Sequence, residues 1–144
     1  MKPFMSFFNS QGYALMRIVA GFLFLWHGSQ KLFDFPGGMP PGVPAFITYI
    51  AGPIELIGGI LVMIGLYTRW AAFLASGLMA FAYWIGHGTK ALLPLLNNGE
   101  LAALYCFVFL FISTQGGGIW SIDALISRRR SDPATDRGHL ESGA

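Results

Sequence analysis

Four apolar segments of membrane-crossing length dominate this sequence, near residues 13–33, 46–67, 70–87 and 99–115. A membrane-spanning helix takes about 20 mostly apolar residues. No segment alternates as a membrane β-strand does. The expected fold is therefore an all-α membrane protein, with a four-helix transmembrane bundle over residues 1–127 and a polar cytoplasmic tail at 128–144. Only 11% of the residues are charged and 54% are hydrophobic, whereas a soluble domain carries about 25% charged residues. So few charges cannot cover a water-facing surface.

The connections sharpen the outline. Residues 34–44 (DFPGGMPPGVP) hold too much Pro and Gly for a regular helix. Thr68 and Arg69 are expected to form a tight turn, which makes the second and third segments an antiparallel hairpin. Residues 94–99 (PLLNNG) break the third segment from the fourth, and Gly116–Gly118 ends the fourth. Residues 119–127 (IWSIDALIS) read as a short interfacial helix, since Trp120 favours the headgroup level. The tail mixes Arg128, Arg129, Arg130 and Arg137 with Asp132, Asp136 and Glu141, a composition that suits disorder. No small-residue cleavage site follows the N-terminus, so the first segment is expected to stay as an anchor. Lys2, Arg17, Arg69 and Arg128–Arg130 fall on one side of such a bundle, and Lys31 and Lys90 on the other. Positive charge marks the cytoplasmic side, which puts both termini of this multi-pass membrane protein in the cytoplasm.

Six ionisable side chains lie in or beside these segments: Arg17, His27, Lys31, Glu55, His87 and Glu100. Hydrocarbon penalises an unpaired charge by about 2.5–3.5 kcal/mol on insertion scales. Such groups face the bundle interior, pair with one another or snorkel to the interface. Pro53 either kinks a helix that starts near Phe46 or opens a new one, and in the second case Glu55 sits in a first turn. His27-Gly28-Ser29-Gln30-Lys31 resembles His87-Gly88-Thr89-Lys90, and each is followed by a Glu-Leu pair, Glu55-Leu56 or Glu100-Leu101. This pattern fits a duplicated helical hairpin or a coincidence in a Gly- and Leu-rich chain. Depth arithmetic places His27, Lys31, Glu55, His87 and Glu100 near the outer face, with Lys31 one turn above His27. They form either a ligand pocket or proton route, or a set of ion pairs holding the helices in register. Lys31 can equally snorkel, and His87 and Glu100 can be wet helix ends. Arg17, a turn inside the cytoplasmic edge, is read as a structural ion pair or a headgroup contact.

Other chemistries find little footing. The single cysteine, Cys106, cannot form an intrachain disulfide and reads as a small apolar residue. Neither Glu-x-x-His nor His-Glu-x-x-His occurs, so a metal is not expected, and nothing demands a haem between His27 and His87. Nucleotide fingerprints are absent, and Arg128–Arg130 suits anionic lipid better than nucleic acid.

The residues that carry a family resemblance run from about Ala14 to Ile126. They are Arg17-Ile18, Gly21-Phe22, His27-Gly28 and Lys31-Leu32; Glu55-Leu56, Gly58-Gly59, Gly65-Leu66 and Thr68-Arg69; Asn98-Gly99-Glu100; and Gly116-Gly117-Gly118 with Ser121-Ile122-Asp123. In these the chain resembles the DoxX family of small four-helix membrane proteins. The resemblance implies a prokaryotic plasma-membrane bundle, with members linked to thiosulfate-to-quinone electron transfer, oxidative or thiol stress and redox complexes. Most members have no established activity, so the resemblance leaves open whether a reaction is catalysed. Three functions follow. The first is a membrane subunit that binds a quinone-like or apolar ligand beside Glu55 and His27 and works with a redox partner protein. The second is a non-enzymatic scaffold or lipid-handling protein. The third is a small transporter, which four short helices would require to be a homo-oligomer.

Overall fold

A computed structural model describes residues 8–131. The described residues are all-helical, with no strand. Helix α1 spans Asn9–Phe33, α2 Gly52–Ile64, α3 Thr68–Ala82, α4 Pro94–Asn97, α5 Glu100–Gln115 and α6 Ile122–Arg130. Two π-helical stretches extend them. Ile47–Ala51 leads into α2, and Tyr83–Gly88 continues α3. One helix among the described residues, Ile47–Ile64, is long and apolar enough to cross a membrane by length and composition.

Several boundaries differ from expectation. The hairpin turn is Gly65–Tyr67, not Thr68–Arg69, which already form the first turn of α3. Gly65 and Tyr67 both take positive φ, 71° and 48°, and these two left-handed residues reverse the chain. Pro53 neither breaks the helix nor starts it cleanly. The chain is already wound at Ile47, but the stretch up to Ala51 is π-helical, and Pro53 enters the first turn of the regular α winding. Proline cannot donate to the preceding turn and crowds its carbonyl, so a locally widened winding relieves the conflict. The break at residues 94–99 contains the short turn α4. The interfacial segment begins its helix at Ile122, and that helix runs through Arg128–Arg130, which were expected in an unstructured tail. The rest of the proposed tail, residues 132–144, lies outside the described residues, as does Lys2.

The helices pair as α1 with α2 and α3 with α5, while α2 and α3 join the two pairs. Small residues make the α1–α2 pairing close. A Cβ on Gly21 would fall 2.6 Å from the Gly59 carbonyl, and one on Gly28 2.7 Å from the Gly52 carbonyl. Both helices space these glycines by seven residues, so two antiparallel backbones touch at two levels. The buried core joins Phe24, Val62, Ala72, Ala75, Phe109 and Ile112. Large apolar side chains point outward instead: Leu15, Val19 and Leu23 of α1, Ile57 of α2, Phe73 and Leu74 of α3, Leu104 and Phe107 of α5 are all exposed. An apolar rim of this extent is foreign to a water-facing surface and suits lipid.

Candidate functional site

Two polar centres occupy opposite ends of the bundle. The first lies where α2, α3, α5 and α6 meet. Arg17, with no exposed surface, donates from Nη1 to the carbonyls of Val62 and Met63 at 2.6 and 2.8 Å and from Nη2 to that of Trp120 at 2.8 Å. It thus satisfies the open carbonyls at the end of α2. It is neither an ion pair nor a headgroup contact, the two roles expected for it. Arg69 does the same for α5, donating to the carbonyls of Ser113 and Thr114 at 3.1 and 2.5 Å. Asp123 caps α3 from a distance in sequence, accepting from the Tyr67 and Thr68 amides at 2.9 Å each and from the Thr68 hydroxyl at 2.7 Å. Ser121 caps α6 through the Ala124 amide. A Cβ on Gly65 would collide with the Ser121 side chain and the Arg17 guanidinium. This end is a knot of helix caps, in which the Arg17 Nε is the one buried side-chain donor without a partner among the described residues.

The second centre is a cavity of about 370 Å³ walled by α1, α2, the α3 extension and α5. Of the six candidate residues, His27, Lys31, Glu55 and His87 line it. Arg17 lies in the capping knot, and Glu100 is exposed at the start of α5, outside the cavity wall. Lys31 Nζ pairs with Glu55 Oε2 at 2.5 Å, and the two side chains are 14% and 4% exposed. The pair ties the end of α1 to the first turn of α2. Among the described residues, Oε2 carries the carboxylate's protein contact, and Oε1 has no partner. The His27 ring stands edge-on to Tyr105, with centroids 6.1 Å apart and an interplanar angle of 84°. Neither the His27 ring nitrogens nor the Tyr105 hydroxyl hydrogen-bonds another described residue. His87 is differently placed. Its Nδ1 meets the Asn97 carbonyl at 2.9 Å. A carbonyl only accepts, so Nδ1 carries the proton and Nε2 is left for other partners. Asn97, 1% exposed, anchors that loop by bonding the Ala91 carbonyl and the Gly99 amide.

The remaining wall is apolar and aromatic. Phe24, Tyr105 and Phe109 stack below His27, the latter two with rings only 10° from parallel. Among the described residues no group of three His, Cys, Asp or Glu side chains gathers as metal ligands would. Tyr105 escaped the sequence reading. Its signal was a lone phenol in the apolar run Leu101–Phe111, an arrangement that usually finds its hydroxyl a partner when buried. Asp123 was noticed only as part of a motif, because a cap acting on residue 67 from residue 123 leaves no local pattern.

A model of the DoxX family matches residues 12–88. An uncharacterized protein of Haemophilus influenzae is 40% identical over 116 residues, covering 76% of this chain and 87% of that protein. A Bacillus subtilis protein named "Putative oxidoreductase CatD" is 29% identical over 84% of this chain and 91% of its own length. The "Inner membrane protein YqjF" of Escherichia coli is 25% identical over 82% of this chain and 94% of its own length. No solved structure matches the chain. The family match over more than half of the sequence, the 40% identical relative and the relative named as an inner membrane protein together make this chain a membrane protein of the DoxX family.

Proposed function

We propose that this chain spans the inner membrane four times, with both termini cytoplasmic, and binds a quinone-like apolar ligand in the cavity as the membrane subunit of a redox system. Several features support the topology. Bulky apolar side chains face outward on α1, α2, α3 and α5, and Arg17, Arg69 and Arg128–Arg130 share one end of the bundle. The observation that carries the ligand is the set of unused polar groups in an apolar cavity: Glu55 Oε1, the His27 imidazole and the Tyr105 hydroxyl. Glu55 and Tyr105 are buried and His27 is half-buried; polar groups set in an apolar cavity take partners, so three idle ones in about 370 Å³ favour a molecule that supplies them.

The donor set fits a ring with opposed carbonyl oxygens. The Tyr105 hydroxyl and an imidazole N–H can donate to such oxygens, and the Lys31–Glu55 pair sets the charge beside them. A bound quinone would supply two-electron chemistry coupled to two protons. Glu55 and His27 are groups able to hold and pass those protons. The single cysteine cannot run a dithiol relay alone, so in this reading a partner protein supplies the electrons. The name of the Bacillus relative supports a redox role to the same extent.

The test is native mass spectrometry of the protein in mild detergent, with Tyr105→Phe and His27→Gln beside the wild type. Tyr105→Phe removes only an idle hydroxyl and keeps the ring stack. The wild type should retain an apolar ligand of quinone size, and Tyr105→Phe should lose most of it at unchanged melting temperature. A wild type that carries no ligand, or variants that both retain as much of it as the wild type, would sink the reading and leave the polar cluster as a helix lock.

A further inference from the structure

The cavity is framed by the two π-helical stretches. Ile47 and Ala51 come from the first, and Ile85, Gly86 and His87 from the second. Each stretch widens its helix at the same level of the α2–α3 hairpin, and π-bulges gather at functional sites. Between them Phe46 and Phe81 meet edge to face, with centroids 6.2 Å apart at 82°. Both line the cavity, yet they are 41% and 52% exposed on the outside of the bundle. Ile85 and Gly86 are exposed beside them. On the opposite side Phe24 and Tyr105 are buried. The cavity wall is therefore one side chain thick between α2 and α3.

Depth decides what lies outside that wall. Phe81 is 13 residues beyond Thr68, about 20 Å along a helix. That level falls inside a hydrocarbon layer about 30 Å thick. Glu55, nine residues before Ile64, lies about 14 Å from the same end, which is near the midplane when the α2–α3 turn sits at the hydrocarbon edge, as in the four-span reading. The polar groups are thus deep, and the thin wall opens sideways to lipid chains.

We infer that the Phe46–Phe81 pair is a lateral gate through which a bilayer-dissolved amphiphile enters. Its polar head reaches Glu55, His27 and Tyr105, while its long apolar chain stays between α2 and α3 and trails into the lipid. The inference rests on the four-span, ligand-binding reading above and narrows its ligand to a chain-bearing lipid-soluble molecule. A water-soluble ligand would have to cross hydrocarbon to reach this mouth. The other exposed stretch of wall, at Asn98 and Leu101, would serve such a ligand instead.

Gly86 provides the test. A Cβ there meets nothing within 4 Å, so a side chain can start from this exposed cavity-lining position without a backbone clash, and Gly86→Phe adds a ring at the mouth. Binding of two benzoquinones with the same ring, one with a decyl chain and one without, is measured in lipid nanodiscs. Comparing each probe between variant and wild type cancels its partition into lipid. Gly86→Phe should weaken the decyl probe about tenfold and the chainless probe by less than about twofold, and Phe46→Ala with Phe81→Ala should speed association of the decyl probe about fivefold. Gate variants that leave both probes untouched, while Tyr105→Phe weakens both, overturn the gate and keep the cavity. A wild type that binds neither probe overturns both.

Discussion

A single methyl group at Gly28 should separate α1 from α2. The Cβ of Gly28→Ala would stand 2.7 Å from both the Gly52 carbonyl oxygen and the Leu56 Cα, and closer still to the Leu56 amide nitrogen. Ordinary contact begins at 3.4 Å. All three obstacles are backbone atoms that no rotamer change can move. The Gly52 oxygen alone asks for about 0.7 Å and the nearer Leu56 nitrogen for more, so the helices must part locally by about 1 Å, and a gap of 0.5–1 Å forfeits roughly a quarter to a half of each dispersion contact it opens. Overpacking of this kind costs about 1–3 kcal/mol. The alanine's own helical preference returns about 0.5–1 kcal/mol. Gly77→Ala is the control. It lies inside α3, where an added Cβ meets nothing within 4 Å, so it keeps the gain without the clash. The helical gain is common to both variants, so they should differ by the overpacking cost itself, about 1–3 kcal/mol, with wild type between them. Reversible unfolding in mixed micelles, titrated with denaturing detergent and read by circular dichroism, measures the difference. Equal stability of the two variants would refute backbone contact between α1 and α2. A bilayer reader of the same effect is Gly59→Ala, whose Cβ would meet the Leu25 amide at 2.7 Å from the other side of the same interface.

Two further substitutions probe the polar centres. Lys31→Met alone strands the Glu55 carboxylate and should cost about 3 kcal/mol, while Lys31→Met with Glu55→Leu should recover most of it; thermal melts of both singles and the double form the cycle, and additive losses would count against a coupled pair. Asp123→Ala removes three hydrogen bonds to the start of α3 and should lower stability by about 2 kcal/mol with ligand retention by the folded fraction unchanged, whereas Asp123→Asn should restore part of the loss. A drop in ligand retention at native stability in Asp123→Ala would tie the two ends of the bundle together functionally.

How far the sequence could be read depended on the range of each interaction. Helix extents were legible because apolar runs and Gly or Pro breaks act locally. The loop 34–44 has no regular helix, and α5 begins and ends within a residue of its expected bounds. The turn was misplaced by three residues because Thr68-Arg69 looks polar, while the reversal itself is made by Gly65 and by Tyr67, whose left-handed φ no propensity foretells. Convergence of His27, Lys31, Glu55 and His87 could be anticipated from depth alone, since four helices in one bundle leave few places for groups at one level. Depth could not tell that Glu100 turns outward, because a residue in a first turn can face any direction until its helix has neighbours.

Arg17 shows why the two polar centres answer to different rules. A charged residue buried in an apolar segment is by default a functional mark. Arg17 is the most deeply buried of the six candidates, yet it is the one whose chemistry is spent: its Nη1 and Nη2 serve three carbonyls of α2 and the loop before α6. The knot it anchors gathers Gly65, Thr68, Arg69, Ser121 and Asp123, residues that also carried the family resemblance. Resemblance built on such positions speaks for the fold, because caps and close approaches are what a shared bundle must preserve. It says little about reaction, since among the buried side-chain polar atoms there only the Arg17 Nε lacks a hydrogen-bond partner within the described protein. The cavity inverts this. Glu55, His27 and Tyr105 carry polar atoms that the fold does not consume, in a space the fold does not fill. Stability alone would favour apolar side chains at those places. What distinguishes a functional polar group from a structural one in this bundle is therefore whether its hydrogen-bonding capacity is left over once the helices are in place, and burial by itself does not decide it.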